Sequence, residues 1–292
     1  MSIVDRVPVV LRSRRQQRLK HVIASEFLKA RTLRSQWLLW SSAVAGGLVG
    51  TVAALLFARI LTSLGEGIPA GEVDMLIVRA PISGAATVAL FLGFAAIHLS
   101  ANERSTGRER LTDLTVPATG KTFVARLTVT ALGAATVSMI TFVSACILVL
   151  VASELSGHSV EVGLLDQVLA VGATTLAMTL VAVFAAGIGL CVRHGVVAAG
   201  VFVSIMVVLP AILGTIGATS RNDLYAWVAS QMPAGRVGAV LEATVAGDLL
   251  GTVSACCMLI VWATFSVVLA YWCWHAESGH QAQREPAAGD RK

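Results

Sequence analysis

The amino-acid sequence predicts an all-α integral membrane protein with six transmembrane helices, and three observations predict it. Hydrophobic residues make up 56% of the 292, charged residues only 13%, and mean hydropathy is +0.78; a soluble domain is nearer ~25% charged. The apolar residues fall in separate blocks along the whole chain. Each block is long enough, at about 1.5 Å per residue, to cross roughly 30 Å of hydrocarbon. Lys and Arg are spread unevenly over the segments between blocks, as topology signals are. One membrane domain, residues 20–274, is expected between a basic N-terminal segment (1–19) and a flexible cytoplasmic tail (275–292).

The first element lies over residues 20–36, KHVIASEFLKARTLRSQ. Val22, Ile23, Phe27, Leu28 and Ala30 alternate at helical spacing with Lys20, Glu26, Lys29, Arg31 and Arg34. Such a helix lies in the membrane interface and does not cross it. The first span follows over Trp37–Ile60, with Trp37 and Trp40 at headgroup level and Arg59 able to snorkel outward. The second span is Pro81–Ala101, the third Phe123–Ala152, the fourth Leu164–Val192, and Arg193–His194 form a tight turn before the fifth, Val196–Gly217. Pro210 predicts a kink in the fifth span. Residues 218–247 hold Leu224, Tyr225, Trp227, Met232, Val237 and Leu241 in amphipathic stretches broken by Pro233 and Gly235. Two short helices on, or dipping into, the outer leaflet are expected there. The sixth span is Leu249–Trp274, with Trp272 and Trp274 marking its inner boundary, and the polar tail beyond reads as disordered.

Orientation follows the Lys/Arg count. With the N-terminus inside, the external segments hold only Arg59, Arg79, Arg221 and Arg236. Both termini are therefore expected in the cytoplasm, with the chain in a cell membrane. The basic residues before position 35 could suggest nucleic acid. The long apolar run that follows at once favours a membrane flank against anionic lipid headgroups instead, and no nucleic-acid partner. No signal peptide is read, because no apolar h-region precedes the basic stretch.

Motifs for chemistry are sparse. Gly120-Lys121-Thr122 ends like a phosphate-binding loop, but the pattern needs Gly at position 115, where Thr115 stands. The chain is thus read as no enzyme in itself, without an ATPase site and with no cofactor or metal of its own. Cys146, Cys191, Cys256, Cys257 and Cys273 have neither zinc nor disulfide-framework spacing and read as small lipid- or helix-facing residues. His275 and His280 in the tail are a weak chelating pair. Gly46 and Gly50 form a small-xxx-small pair, equally suited to a subunit contact or an internal helix pair. His98 is the histidine well inside a span, a pathway residue or an interface residue one turn from the charged segment. The spans hold almost no charge at mid-depth, which argues against an ion-coupled carrier and for cargo movement driven from outside the membrane domain.

The segment NERSTGRERLTDLTVPATGKTFVARL, from Asn102 to Leu127, resembles the first cytoplasmic loop of permeases of the ABC type-2 exporter family. That loop has a Glu leaving the second span, a Gly, basic residues, paired leucines, a Pro, and a basic residue entering the third span. The matching positions are Glu103, Gly107, Arg108 and Arg110 (Arg104 beside them), Leu111 and Leu114, Pro117, and Arg126 where the family commonly has Lys. SEFLKARTLRSQW resembles the family's elbow helix, and the stretch around Met232-Pro233-Ala234-Gly235 its external re-entrant helices. The resemblance covers nearly the whole chain, by order and placement more than by one sharp motif.

The resemblance implies a coupling loop that docks on a separate ATP-binding subunit, present in two copies and carrying ATP and Mg. It also implies a second permease copy, a homodimer or pseudo-dimer, that rocks between inward and outward states. The cargo path would lie near the first, second and fifth spans. The cargo expected is hydrophobic or amphipathic: a drug or antibiotic, a lipid or a peptide. Ala-, Val- and Arg-rich usage is compatible with a GC-rich bacterium, whose plasma membrane would hold the chain, and with self-protection against an antibiotic (antibiotic or multidrug resistance). Two other readings are a non-transporting, ATPase-coupled sensor or scaffold, and an intramembrane enzyme, for which no polar group beyond His98 stands at membrane depth.

Overall fold

The computed structural model describes residues 19–63, 76–105, 119–156, 164–192, 194–220 and 223–284. Helices account for almost all of them. They are α1 (Leu19–Thr32), α2 (Arg34–Ser63), α3 (Ala85–Ser105), α4 (Thr119–Ser156), α5 (Leu164–Cys191), α6 (Gly195–Val203), α7 (Leu209–Ser220), α8 (Asp223–Gln231), α9 (Pro233–Val245) and α10 (Leu249–Arg284). Six segments are long and apolar enough to cross a membrane: Arg34–Leu61, Leu76–Ala101, Gly120–Leu155, Leu165–Cys191, Gly195–Ser220 and Leu249–His275. They fall where the apolar blocks predict six spans.

Helix α5 is the hub, packed against α3, α4, α10 and α9. Its buried face is mostly small: Ala177, Ala182, Ala185 and Ala186, with Met178, Val181 and Phe184 between them. In lipid there is no hydrophobic force between helices, so association depends on close van der Waals packing, and small residues permit it. Gly189 shows the effect: a Cβ there would stand 3.1 Å from the Ile97 backbone of α3. Gly187 meets Ser266 of α10 in the same way.

The glycines of α2 resolve the choice between subunit contact and internal pair. A Cβ on Gly50 would lie 2.5 Å from Gly84 Cα, and one on Gly46 would lie 2.5 Å from the Thr87 methyl. Ser83 Oγ lies 2.8 Å from the Gly50 carbonyl, able to donate to it across the junction. The glycine face of the first span is therefore used within the chain, against the start of the second.

Both the first and the fifth spans have wide exposed apolar faces. Leu38, Val49, Leu56 and Ile60 are exposed on α2, and Val197, Val207, Ile212 and Ile216 on the fifth span. Phe202 anchors the fifth span: it is fully buried, its ring seats on Gly93, and its centroid lies 6.1 Å from Phe94 and 6.4 Å from Phe184. The backbone just before Pro210, where the sequence predicts a kink, takes a specific form. Residues Ser204–Val208 form one π turn, with Leu209 N–H donating to Ser204 O. Proline lacks an N–H and its ring would collide with the carbonyl four residues back, so widening the preceding turn relieves both demands.

Some boundaries differ from the sequence reading. The first span's helix starts at Arg34, so Arg34 opens α2 instead of closing the interfacial helix. Leu33 is the break, and Trp37 Nε1 donates to Arg31 O at 2.8 Å across it, meeting one of α1's last carbonyls. At the other end α10 continues to Arg284, where the sequence predicts a disordered tail. Glu277, Gln281 and Gln283 are good helix formers, and extending an existing helix avoids the cost of nucleation. Gly235 lies inside α9 and does not break it; a Cβ there would stand 2.7 Å from Ala229 O, so the glycine lets α9 fold tightly back on α8.

Candidate functional site

Contacts sort the helix ends into two groups. One group joins α1, the start of α4, and the ends of α3, α5 and α10, through Ala30–Leu99–Val129 and Phe123–Leu190–Ala270–Trp274. The other joins the end of α2, the end of α4 and the segment before α3, through Ala58, Val149, Ile77 and Ala80. The first group carries Glu26, Lys29 and Arg126, which the sequence singles out.

Its centre is charged and buried. On α1, Val22, Glu26 and Ala30 are spaced by four and form the buried stripe, while Phe27 and Leu28 are exposed. Glu26 is only 5% exposed. It accepts from Lys29 Nζ at 2.8 Å, one turn on. Arg126 of α4 is 2% exposed and places Nε 3.9 Å from Glu26 Oε2. The Arg126 guanidinium carbon also lies 5.7 Å from the centre of the Trp274 ring, within cation–π range. Trp274 packs edge-on against Phe123 at 6.0 Å and is 5% exposed. It thus faces inward as a cap on the arginine, whereas Trp272 is 73% exposed.

The charges are compatible with burial because each meets an opposite charge or a π face. Desolvating an ion costs several kcal/mol, which an opposed charge and further polar contacts must offset. A lysine at 126 keeps a cation near both Glu26 and the ring. Arg126→Lys is therefore expected to cost less than Arg126→Ala: the charge survives, but the planar guanidinium that faces the Trp274 ring is lost. A thermal melt of the purified variant checks this; a loss as large as that of Arg126→Ala would mean that the fork itself is required.

A neutral polar pair lies beside this junction. Gln36 is 1% exposed on the first turn of α2. With its amide turned to suit both neighbours, it accepts from Trp40 Nε1 at 3.1 Å and donates to Ala95 O at 3.3 Å. It ties the first span to the second. Sequence reasoning missed Gln36, because one Gln at the edge of a basic stretch reads as solvated.

The other predicted residues are dispersed. Lys29 and Glu26 belong to the junction, while Phe27, Arg31 and Arg34 are exposed beside it. Glu103 and Arg104 lie on the last turn of α3, whose backbone is helical. Gly107, Arg108, Arg110, Leu111, Leu114 and Pro117 lie outside the described residues. His98 is half-buried on α3; its Nδ1 is buried with no hydrogen-bond partner among the described residues, and no ion pair joins it to Glu26. Among the described residues no three of His, Cys, Asp or Glu cluster as a metal site. His275 stacks on Tyr271 with centroids 4.1 Å apart. Cys191 and Cys273, 82 positions apart, bring their Sγ atoms to 2.6 Å where α5 and α10 end, a helix–helix contact that no local spacing announces.

No family model and no curated protein matches the chain.

Proposed function

We propose that this chain is the permease subunit of an ATP-driven ABC exporter. It moves a hydrophobic or amphipathic cargo outward and is powered by a separate ATP-binding subunit. The observation that carries the reading is the Glu26–Arg126 junction. The resemblance assigns Glu26 to the elbow helix and Arg126 to the basic position entering the third span, two features drawn from separate parts of the sequence. They meet in one buried contact. The segment between α3 and α4, where the loop resemblance is densest, leaves and enters at this same end.

Further observations support the reading. Among the described residues, Lys20, Lys29, Arg31, Arg34, Arg104, Lys121 and Arg126 lie at the end that carries α1, which the Lys/Arg rule assigns to the cytoplasm of a bacterial plasma membrane. An ATPase would then reach the Glu103–Pro117 loop. Helices α8 and α9, at the opposite end, take the part of the external re-entrant helices. The exposed apolar faces of the first and fifth spans suit lipid and a second permease copy.

The test is extraction of the full chain from native membranes in mild detergent. A co-eluting subunit with a phosphate-binding loop in its peptide sequence, and ATP hydrolysis by the complex, are expected. The double substitution Glu103→Ala with Arg108→Ala should release that subunit while the permease keeps its melting temperature. Retention of the ATPase by the double variant would overturn the docking role of the loop. Absence of any ATPase from the wild-type complex would overturn the exporter reading and favour a scaffold or sensor.

A further inference from the structure

A cavity of about 460 Å³ lies at the end of the molecule opposite the Glu26–Arg126 junction. Its walls come from four elements: the segment before α3 (Pro81, Ile82), the later half of α4 (Phe142, Cys146), the first three turns of α5, and the corner between α9 and α10. Its size is within the range of small-molecule sites, and such sites pair apolar walls with a few placed polar groups. That pattern holds here. Ile82, Phe142, Ala170 and Val171 supply apolar surface, and Asp166, an exposed residue of the first turn of α5, is the one charged side chain among the described residues of the lining.

The electrostatics favour a cation. Among the described residues no Lys or Arg lines the cavity and none pairs with Asp166. The last turn of α9, Thr244–Val245, borders the cavity and presents a helix C-terminus, equivalent to about half a negative charge. The N-terminus of α5, with Asp166 in its first turn, contributes about half a positive charge. Asp166 is the net charge that the described lining presents, and the α5 N-terminus favours its ionised form. Arg79 is exposed and adjoins the wall in sequence without lining it.

The corner holds its shape without help from a ligand. Gly247 has φ +69°, the left-handed conformation that ends α9. Asp248 N–H donates to Ala243 O at 2.8 Å, and Asp248 Oδ1 accepts from Gly251 N–H at 2.9 Å to cap α10. Asp248 is thereby committed to the cap, whereas Asp166 has no such partner among the described residues.

We propose that this cavity binds an amphipathic organic cation: an apolar body against Phe142, Val171 and Ile82, with its positive charge beside Asp166. The proposal does not depend on the exporter reading, because binding can be measured on this chain without an ATPase.

Tetraphenylphosphonium and tetraphenylborate are near-isosteric ions of opposite charge, and they separate charge recognition from lipid-like partition. Equilibrium dialysis with the full-length chain in nanodiscs should give saturable binding of the phosphonium at one site per chain. Tetraphenylborate should bind at least about tenfold more weakly. Asp166→Asn should weaken phosphonium binding about tenfold and narrow the gap between the two ions. Ala170→Trp, which fills the cavity, should abolish saturable binding. As an independent reading, the phosphonium should slow maleimide labelling of Cys146 in a chain whose other four cysteines are serine, and should not slow it when Ala170→Trp is added. Equal binding of both ions, unaffected by Asp166→Asn, would overturn the proposal and leave a non-selective apolar cleft. So would a co-purified phospholipid that the phosphonium fails to displace.

Discussion

Glu26→Ala should lower the stability of the purified chain by about 3 kcal/mol, at the low end of the cost of breaking a buried ion pair. The low end applies because Glu26 and Arg126 stand 3.9 Å apart, and Trp274 still faces the arginine after the change. The loss has two sources. Arg126, 2% exposed, keeps its charge in a place that water scarcely reaches. Lys29 loses its 2.8 Å partner, which matters less because its side chain is 40% exposed. Glu26→Gln keeps the shape and an acceptor and should recover part of the loss. The effect should change little with salt, since buried pairs are weakly screened. Melting curves in detergent at low and high salt test both statements. A Glu26→Ala chain as stable as wild type would mean that α1 does not bear on α4.

Gly50→Val is the second large effect. The new Cβ would collide with the backbone of Gly84, and no rotamer change can move a backbone aside. The first span must shift off the second, breaking the Ser83–Gly50 contact. Overpacking of this kind costs about 1–3 kcal/mol; for valine against backbone the upper figure is expected, and for Gly50→Ala the lower. Gly172→Ala is the matched control. Nothing lies within 4 Å of its Cβ position, so the change should be neutral or gain up to about 1 kcal/mol of helix propensity. A dimer that dissociates with its protomer stability intact would instead assign Gly50 to a subunit contact.

The six spans were legible because the bilayer imposes length and composition on each of them, and both can be read from a single chain. The two short helices after the fifth span were legible too, because Pro233 opens α9 at its first position, where a missing N–H costs nothing. What escaped the sequence was pairing across distance. Glu26 reads as part of a polar face until Arg126, a hundred residues later, arrives to bury it. Trp274 reads as a membrane marker until that same arginine gives its ring a partner. Cys191 and Cys273 are unremarkable apart and touch only because α5 and α10 end side by side. The glycines of α2 announced close packing but not with what, since small residues serve any neighbour. The π turn of the fifth span needed backbone coordinates, although Pro210 marked its place. The loop from Gly107 to Pro117, where the family resemblance is densest, lies outside the described residues, so its reading rests on sequence and on the experiment above.

The corner at Gly247–Asp248 gives α10 a mechanical character. The turn that walls the cavity is fastened to the first residues of α10 by its capping bonds. About 39 Å further along the same unbroken helix, at 1.5 Å per residue, Trp274 lies against Arg126. The chain has thus built one stiff lever between its two polar ends. A tilt of about 5° pivoting at the Gly247–Asp248 corner would swing the Trp274 end by about 3 Å over that length, comparable with the 3.9 Å that separates Arg126 from Glu26.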